Sequence, residues 1–379
     1  MSYQPIFEIK EKTSLRKYIE NCKLPQCEEI TKYGNFSKVG EGTFGEVYKA
    51  YEIQNKTNVV ALKKILIKKE IESFPITAIR EINILKNLWT TDDKGRLKRH
   101  ENIVNLLEIC KAKPSSKTSC KSVFYLVFEY CKYDLSRLLL DPSIKFNLGE
   151  IKYVLRQLLD GLHFIHINKI VHRDIKPANI LITKHGILKL ADFGLSKAIS
   201  FKKLEEGIPM TNKVVTLWYR PPELLLGSKK YAQEIDLWGI GCVMAEIWLR
   251  SPLFVGNSEQ QQLKEICNIC GEINPEIWPN VKLLPLYNEI ELPIGSSRQL
   301  KHRLRGSVRD ENGLNLIDNF LQLDPTKRIN ADNALYHDFF WTEPPPCSIE
   351  RCLFLYEQNT MRPPVKKPRI DDEYKSIIY

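Results

Sequence analysis

The stretch from residue 171 to residue 223 constrains this chain more than any other part of its sequence. It contains HRDIKPAN, with Asp174, Lys176 and Asn179 at fixed offsets, and then DFG, which begins at Asp192. Phosphoryl transfer needs positioning and charge neutralisation from a protein rather than covalent chemistry. An aspartate can accept the proton of an attacking hydroxyl, a lysine can hold the γ-phosphate, and an amide and a second carboxylate can hold Mg²⁺. HRD or DFG alone occurs by chance in many proteins, but both in this order and spacing predict phosphoryl transfer from ATP.

A glycine-rich run, VGEGTFGEV, occupies residues 39–47. GxGxxG alone is a weak signal because dinucleotide-binding folds share it, but in those folds a helix starts after the last glycine. Here a strand-like run at 46–53 is followed by turn residues at 54–58 and a β-rich run at 59–62. This order predicts a hairpin that covers a nucleotide, with the glycines letting backbone amides approach phosphate.

Length and composition describe an ordinary globular protein. The chain has 379 residues, 43% hydrophobic and 27% charged, which is enough for two domains or lobes. The N-terminus lacks a charged segment followed by an apolar stretch, so we do not expect secretion, and the ten cysteines should be reduced thiols. The CxxC at 267–270 has no second pair and is more typical of a helix than of a zinc site. The apolar run at 235–249 contains Asp236 and Glu246 and is too short to span a bilayer, so we expect a buried helix there.

The formal charge of +10 is accompanied by two basic clusters, at residues 94–99 and 366–369. Such clusters attract nucleic acid or acidic peptide, although a solvated surface explains the first cluster equally well. The second cluster resembles a nuclear-import signal, which indicates a nuclear protein. Neither cluster alternates with aromatic residues as a base-stacking surface would, so direct nucleic-acid binding as the main role is a weaker alternative.

The HRD, DFG and PPE motifs, in order behind a glycine-rich loop, resemble the signature set of protein kinases. PITAIRE at residues 75–81 resembles the helix on which cyclin-dependent kinases dock a cyclin. The resemblance implies an α+β, bilobal protein kinase fold, with a small antiparallel β-sheet lobe carrying one regulatory helix and a larger, mainly helical lobe. The expected organisation is an N-terminal extension at 1–33, a kinase domain at 34–341 (N-lobe 34–130, C-lobe 135–341) and a flexible tail at 342–379, where prolines and charge runs replace helical periodicity.

The resemblance assigns residues to ATP, Mg²⁺ and catalysis. Lys63 matches the strand lysine that holds the α- and β-phosphates, and Lys64 beside it is expected to face solvent. Glu81, on a helix that apolar periodicity predicts at 74–88, matches the glutamate that pairs with Lys63. A cyclin that pushes this helix would act as a switch, since the pair exists in only one arrangement. The expected ATP-binding residues are Val39, Gly40, Glu41, Gly42, Thr43, Phe44, Gly45, Glu46, Val47, Lys63, the hinge residues Glu129, Tyr130 and Cys131, and Asp134 at the ribose. The expected catalytic residues are Asp174, Lys176, Lys63 and Glu81. The expected Mg²⁺ ligands are Asn179 and Asp192.

After DFG, the resemblance marks an activation segment. Thr211 resembles the threonine that an activating kinase phosphorylates, and its phosphate would need cations around it. Arg80 and Arg173 match two of these cations, and Lys197 stands where the family usually has a third arginine. Because lysine is a point charge rather than a bidentate fork, this clamp should be weaker or differently arranged. The residues that match the platform selecting proline after the phosphoacceptor are Val214, Val215 and Arg220.

Two further matches are structural rather than catalytic. Glu223 is expected to pair with Arg328. Asp236 is expected to brace the catalytic loop from the buried helix.

Within the family, four runs are similar to the members that act in transcription elongation: 74–85, 189–195, 214–227 and 337–341. This resemblance implies a T-type cyclin docked on the helix around Pro75–Glu81, and Ser-Pro or Thr-Pro substrates in the C-terminal repeat of RNA polymerase II and in elongation factors. Ile79 is shared with the larger transcriptional kinases that use cyclin K, which remain the alternative. A catalytically dead, cyclin-binding scaffold is disfavoured because Lys63, Asp174 and Asp192 are all present.

Overall fold

The computed structural model describes residues 28–42, 45–67, 75–91, 97–112, 122–199, 210–211 and 214–360. The chain forms two compact units. Among the described residues, the first unit comprises those up to Lys86 together with those of Asn105–Tyr130, and the second comprises those of Asn87–Val104 together with those from Cys131 to Thr360. Residues 87–104, which were predicted to lie in the N-lobe, therefore belong to the second unit. Within the described ranges, no helix combines the length and the apolar character that crossing a bilayer requires.

Most of the strands precede the long helices along the chain. The strands are β1 (Glu28–Glu29), β2 (Tyr33–Gly42), β3 (Gly45–Glu52), β4 (Val59–Ile67), β5 (Thr90–Thr91), β6 (Leu97–Lys98), β7 (Leu106–Ala112), β8 (Ser122–Glu129), β9 (Tyr133–Asp134), β10 (Ile170–Val171), β11 (Ile180–Ile182), β12 (Leu188–Leu190) and β13 (Lys197–Ala198). The α-helices are α1 (Ile76–Asn87), α2 (Leu135–Leu140), α3 (Leu148–Ile167), α4 (Pro222–Leu225), α5 (Glu234–Leu249), α6 (Glu259–Cys270), α7 (Leu300–Leu304), α8 (Glu311–Phe320), α9 (Ala331–Leu335) and α10 (Glu350–Thr360).

A six-stranded sheet in the order β1-β7-β8-β4-β3-β2 dominates the first unit. Neighbouring strands are antiparallel except that β1 runs parallel to β7. The predicted hairpin is present, with β3 and β4 joined by the polar turn at 53–58. One face buries Ala50, Val60, Leu62 and Val127 at 0% exposure, as the alternation of a half-buried sheet requires. At one edge of this sheet, β1 pairs residues from the end of the predicted N-terminal extension with β7.

Helix α1 forms where apolar periodicity predicts it. Pro75 immediately precedes it, where proline's missing N–H and fixed φ cost little, and its carbonyl accepts the Ala78 N–H at 3.0 Å. The buried side of the helix carries Ala78, Glu81, Ile82, Ile84 and Leu85. Ile76, at the first turn, is 71% exposed.

Two long helices form the centre of the second unit. Helix α3 begins at a capping box in which the Asn147 side chain accepts the Glu150 N–H and the Glu150 carboxylate accepts the Asn147 N–H. Helix α5, the predicted buried helix, is buried from Ile235 to Ile247 on all sides. The small sheets β9–β11–β12 and β10–β13 hold the segments around the candidate site.

Residues 90–100 form a polar, basic run whose composition is typical of a loop, but paired strands are present at both ends of it. Thr90 pairs with Lys98 and Thr91 with Leu97, so β5 and β6 form a short antiparallel ladder. Arg99 lies over the Trp89 ring, 4.9 Å from its centroid. Residues 92–96 lie outside the described part of the chain.

The predicted flexible tail contains ordered structure as far as residue 360. Lys152, which is fully buried on α3, donates to the carbonyl oxygens of Thr342 at 2.5 Å and Pro344 at 2.9 Å. Helix α10 follows and buries Cys352 and Leu353 against the second unit. The burial of these two residues and the contacts of Lys152 outweigh the proline run that suggested disorder. Residues 361–379, with the second basic cluster, lie outside the described residues.

Candidate active site

The strand lysine and the helix glutamate that were predicted to pair do so within the first unit. Lys63 lies on β4, opposite Val47 on β3 and Leu126 on β8. Its Nζ is 3.2 Å from Glu81 Oε1 and 2.8 Å from Oε2. The two side chains are 15% and 3% exposed, so salt screens their attraction little, and the pair fixes α1 against the sheet.

The glycine-rich run forms a hairpin of its own from β2 and β3, and β3 continues into the predicted hairpin with β4. Gly45 has a φ of 137°, and a Cβ there would lie 2.3 Å from the Lys64 carbonyl oxygen, so only glycine fits. At Gly40 a Cβ would meet no atom within 4 Å, which leaves open space where a phosphate-bearing ligand can approach the backbone. Thr43 and Phe44, which were also assigned to ATP, lie outside the described residues. Of the others, Val39, Gly40, Glu41 and Gly42 lie on β2, and Gly45, Glu46 and Val47 lie on β3.

Glu46, one of the residues assigned to ATP, is held by neighbouring side chains of the same sheet. Its carboxylate accepts hydrogen bonds from Lys64 at 2.9 Å, Tyr48 at 2.9 Å and Lys38 at 3.1 Å. These donors, Lys64 first, lower the pKa of Glu46 to about 2. Lys64 was expected to face solvent; its side chain is 23% exposed, and its ammonium group is engaged with Glu46. The cluster stiffens the second strand of the hairpin.

The predicted hinge begins at the end of β8. The Glu129 N–H donates to the Asn105 carbonyl oxygen at 3.1 Å, and the Asn105 N–H donates to Glu129 Oε1 at 2.8 Å. Lys49 lies over the Tyr130 ring, 5.2 Å from its centroid. In the second unit, Asp134 caps α2 by accepting the Arg137 N–H at 2.8 Å, and burial raises the pKa of its carboxyl group. Contacts of these residues and of Cys131 with adenine and ribose remain predictions.

The second unit brings together the three catalytic-loop residues that the sequence singled out. Asp174 is 5% exposed. Its Oδ2 is 3.1 Å from Lys176 Nζ and accepts a hydrogen bond from Asn179 Nδ2 at 2.9 Å. Asn179 Nδ2 also donates to the Asp174 carbonyl oxygen at 2.8 Å. A carboxylate held in this way presents a fixed acceptor to an incoming hydroxyl group, as a general base must.

Thr216 completes this cluster, and it was not predicted from the sequence. Its hydroxyl donates to Asp174 Oδ1 at 2.9 Å and accepts from Lys176 Nζ at 3.0 Å, and its N–H donates to the same Oδ1 at 3.2 Å. A single threonine beside the predicted platform has no periodicity or motif spacing that would mark it. Its role becomes visible only when the fold brings it to the aspartate.

The buried helix braces the catalytic loop as predicted. Asp236 accepts the His172 N–H on Oδ2 and the Arg173 N–H on Oδ1, both at 2.8 Å, and His166 Nε2 lies 3.0 Å from Oδ2. The His172 imidazole then joins two parts of the site, since its Nε2 lies 2.9 Å from the Ala191 carbonyl oxygen. Its ring packs edge-on against Phe193 of DFG, with centroids 5.0 Å apart.

The candidate metal ligands suit Mg²⁺. Asn179 uses its amide nitrogen in the two bonds to Asp174, which leaves its amide oxygen as the atom for a cation. Asp192 adopts the left-handed region with a φ of 64°, a conformation that is uncommon for an aspartate and typical of functional sites. Among the described residues, no group of three or more His, Cys, Asp and Glu side chains is placed to hold a metal ion. One amide and one carboxylate fit Mg²⁺, which usually keeps waters and substrate phosphates in its shell.

The activation segment is described only at its ends. Thr211 is exposed, and Lys197 lies on β13, opposite Val171. Arg173 is 4% exposed and donates from Nε to the Leu195 carbonyl oxygen at 2.6 Å. Arg80 lies on α1 of the first unit. The three-cation clamp around a phosphate on Thr211 therefore remains a prediction.

The predicted proline-selecting platform has a defined geometry. Val215 has a φ of 68°, which is a marked outlier for a β-branched residue. Arg220 donates from Nε at 3.2 Å and NH2 at 2.9 Å to the Val215 carbonyl oxygen, and its NH1 reaches Glu259 Oε1 at 2.5 Å. Val214 beside it is buried. The Val215 carbonyl is thus occupied by the protein itself.

The predicted pair behind the activation segment is confirmed. Arg328 NH1 and NH2 donate to Glu223 Oε1 and Oε2 at 2.6 and 2.7 Å, and the two side chains are 0% and 4% exposed. This bidentate geometry is the strongest that a guanidinium and a carboxylate can make.

Comparison with known proteins agrees with this arrangement. Residues 33–340 match the family described as "Protein kinase domain". Two solved structures superpose on most of the chain. The CAK complex from Chaetomium thermophilum bound to ATP-gamma-S has a TM-score of 0.71 and 34% identity, covering 84% of this chain and 94% of that one. The yeast RNA Pol II CTD kinase CTDK-1 complex has a TM-score of 0.72 and 36% identity, covering 86% and 99%.

Curated relatives are more similar still. Cyclin-dependent kinase 9-A of Xenopus laevis is 50% identical over 349 residues, which is 91% of this chain and 90% of the relative. Cyclin-dependent kinase 9 of Homo sapiens is 51% identical over 339 residues, or 89% and 88%. These likenesses confirm the resemblance to cyclin-dependent kinases and extend it to cyclin-dependent kinase 9. The chain belongs to the protein kinase family, among its cyclin-dependent serine/threonine kinases.

Proposed function

We propose that this chain is the catalytic subunit of a nuclear, cyclin-dependent, proline-directed kinase of the positive transcription elongation factor b type. It would phosphorylate the C-terminal repeat of RNA polymerase II and elongation factors, and so promote transcription elongation. The observation that carries the catalytic part is the cluster in which Lys176, Asn179 and Thr216 all contact the Asp174 carboxylate. A catalytically dead scaffold would not require this cluster.

The contacts support a chemical role for each residue. Asp174 orients the substrate hydroxyl group and accepts its proton as the hydroxyl oxygen attacks the γ-phosphorus of ATP. Lys176 neutralises charge on the transferred phosphoryl group, and Lys63, held by Glu81, does so at the α- and β-phosphates. The Asn179 amide oxygen and the Asp192 carboxylate would hold Mg²⁺. When bound, Mg²⁺ neutralises phosphate charge and aligns the phosphates.

The preference for proline follows from the platform. Because Arg220 already donates twice to the Val215 carbonyl, that oxygen is poorly available to an N–H group of a substrate backbone. An ordinary residue after the phosphoacceptor would lose a hydrogen bond there, whereas proline has no N–H to satisfy. Ser-Pro and Thr-Pro sites, which the polymerase repeat supplies in series, suit this platform.

The partner and the substrate are argued from α1 and from the relatives. Ile76 projects from α1 with 71% of its surface exposed, as suits a helix that a cyclin covers. The relatives named cyclin-dependent kinase 9 favour a T-type cyclin, and the likeness to the yeast RNA Pol II CTD kinase supports the polymerase repeat as substrate. A nuclear location follows from that substrate.

The deciding experiment is a kinase assay on a polymerase heptad-repeat peptide, with a T-type cyclin, with cyclin K and with neither. We expect activity only with the T-type cyclin. Activity with cyclin K alone would assign the chain to the alternative subclass, and equal activity without a cyclin would overturn the partner-dependent switch at α1.

Two further experiments test the catalytic assignment rather than the identity of the cyclin. Asp192→Asn should abolish transfer while cyclin binding persists, and near-normal turnover would contradict the assignment of Asp192. Thr211→Ala should lower activity less than Asp174→Asn does, because a phosphate on Thr211 would stabilise the active arrangement without touching the reacting atoms.

A further inference from the structure

We propose that Tyr231 is a positioning residue of the activation segment, whose hydroxyl group links Thr211 to Arg173 before phosphorylation and is replaced in that role by the phosphate on Thr211. The inference rests on the proposed function, in which Thr211 is the activating phosphosite. The three residues all lie within the second unit.

The contacts form a continuous chain of hydrogen bonds. Arg173 NH1 donates to the Tyr231 hydroxyl oxygen at 3.0 Å, and the Tyr231 hydroxyl donates to the Thr211 carbonyl oxygen at 2.6 Å. One residue earlier, the Met210 N–H donates to the Lys229 carbonyl oxygen at 2.9 Å. The segment that carries the phosphosite is therefore attached to residues 229–231 at two successive positions.

Tyr231 is well suited to bridge these groups. It is 6% exposed, so water competes little for its hydrogen bonds. Burial raises the pKa of its hydroxyl group above the ordinary value, although the nearby Arg173 opposes this, so the group remains a neutral donor. A neutral hydroxyl can donate and accept at once, which is what the position between a guanidinium and a carbonyl demands.

The same contacts explain why the bridge would become redundant. The Arg173 guanidinium carries five N–H donors, of which one is used on Leu195 and one on Tyr231. Only the Tyr231 hydroxyl group lies between this guanidinium and the Thr211 carbonyl oxygen in the chain of hydrogen bonds. A phosphate on Thr211 would bring about two negative charges and accept from the guanidinium directly, in a stronger, charge-assisted bond. The segment would then be held whether or not the tyrosine hydroxyl is present.

The test compares wild-type and Tyr231→Phe holoenzymes, each with its cyclin, in Thr211-phosphorylated and phosphatase-treated forms. In the unphosphorylated form, we expect Tyr231→Phe to lower kcat/KM for the repeat peptide about tenfold, the order of one hydrogen bond to a charged group. In the phosphorylated form, the loss should stay below about twofold. Phosphorylation should therefore stimulate the variant several times more than it stimulates the wild type.

Tyr219→Phe is the matched control, because Tyr219 is also a buried tyrosine of this unit, and its hydroxyl donates to Glu246 at 2.7 Å rather than to the activation segment. Its effect should be equal in the two phosphorylation states. Hydrogen exchange at the Met210 amide gives a second readout that does not need basal activity. Exchange should accelerate in unphosphorylated Tyr231→Phe and slow again after phosphorylation.

The possible outcomes distinguish the role of Tyr231 from that of the phosphosite. Equal losses in both forms, or unchanged exchange at Met210, would overturn the role of Tyr231 while the phosphosite stands. A wild-type enzyme that phosphorylation of Thr211 does not stimulate would overturn the phosphosite itself and this inference with it.

Discussion

Lys63 Nζ lies 2.8 Å from Glu81 Oε2 in a pocket that leaves the glutamate side chain 3% exposed. This pair joins the central sheet of the first unit to α1, the helix proposed to bind the cyclin. Anything that displaces α1 must therefore break a nearly buried ion pair. Under the proposed function, this pair would couple cyclin binding to the handling of the ATP phosphates.

Replacing Glu81 with glutamine should remove the ion pair that links α1 to Lys63. We expect Glu81→Gln to lower kcat/KM for ATP about 10- to 100-fold, because the variant loses a charge-assisted bond that orients Lys63. Steady-state kinetics with the cyclin present measure this. Glu52→Gln, which removes a partly exposed partner 3.7 Å from Lys32 in the same unit, should change kcat/KM less than about twofold. Equal effects of the two variants would contradict the role of the Lys63–Glu81 pair.

Thr216 should matter for turnover more than for nucleotide binding. Thr216→Val removes the hydroxyl that joins Asp174 to Lys176, so we expect kcat to fall about tenfold or more with little change in the KM for ATP. Thr216→Ser keeps the hydroxyl and should recover most of the activity. A serine variant as slow as the valine variant would show that the threonine methyl group, and not the hydroxyl, is required.

The platform geometry predicts a change in specificity. Arg220→Met frees the Val215 carbonyl, so the ratio of kcat/KM for a Ser-Pro peptide to that for a Ser-Ala peptide should fall about tenfold. Arg305→Met, in an exposed pair with Glu311, is the control and should leave the ratio unchanged. An unaltered ratio in Arg220→Met would assign proline selection to other residues.

The Glu223–Arg328 pair should be important for stability. Glu223→Ala leaves a buried guanidinium unpaired and should lower the free energy of unfolding by about 3–5 kcal/mol. Glu311→Ala breaks an exposed pair and should cost about 1 kcal/mol or less. Chemical denaturation of the two variants, measured side by side, distinguishes the two sites. Similar costs would mean that the first site relaxes enough to hydrate the arginine.

Glu246 on α5 should make stability depend on pH. Burial raises its pKa from 4.5 to about 7, with the Tyr219 hydroxyl bond opposing the shift. Between these values the folded protein holds a proton that the unfolded chain releases, so the free energy of unfolding falls as pH rises through this window. Over the whole window, the free energy of unfolding should fall by about 3 kcal/mol. In Glu246→Gln, this contribution to the pH dependence of the free energy of unfolding should vanish. The measurement is chemical denaturation of both proteins from about pH 4.5 to pH 8. The same pH dependence in the variant and the wild type would contradict the raised pKa of Glu246.

What the sequence could predict depended on how local each signal is. Lys63, Asp174, Asn179 and Asp192 stand in short motifs at fixed offsets, so their roles could be proposed from those motifs and the family resemblance that the motifs carry. Thr216 lies 42 residues from Asp174 in a run with no periodicity, and only tertiary structure brings the two together.

Helix α10 was not predicted because its own sequence carries a misleading local signal. In α10, prolines and charges nearby masked a short apolar stripe whose burial depends on α3, a distant part of the chain. Residues whose structure is decided by a remote partner cannot be recognised from their own neighbours.

The contacts of Lys152 with the segment after the predicted kinase domain also bear on how much of the chain a stable fragment needs. Lys152 has no exposed surface, and its ammonium group donates to oxygens of Thr342 and Pro344. A chain cut after residue 341, the predicted end of the kinase domain, would leave a buried positive charge without those acceptors. We therefore expect a stable catalytic fragment of this protein to include residues 342–360.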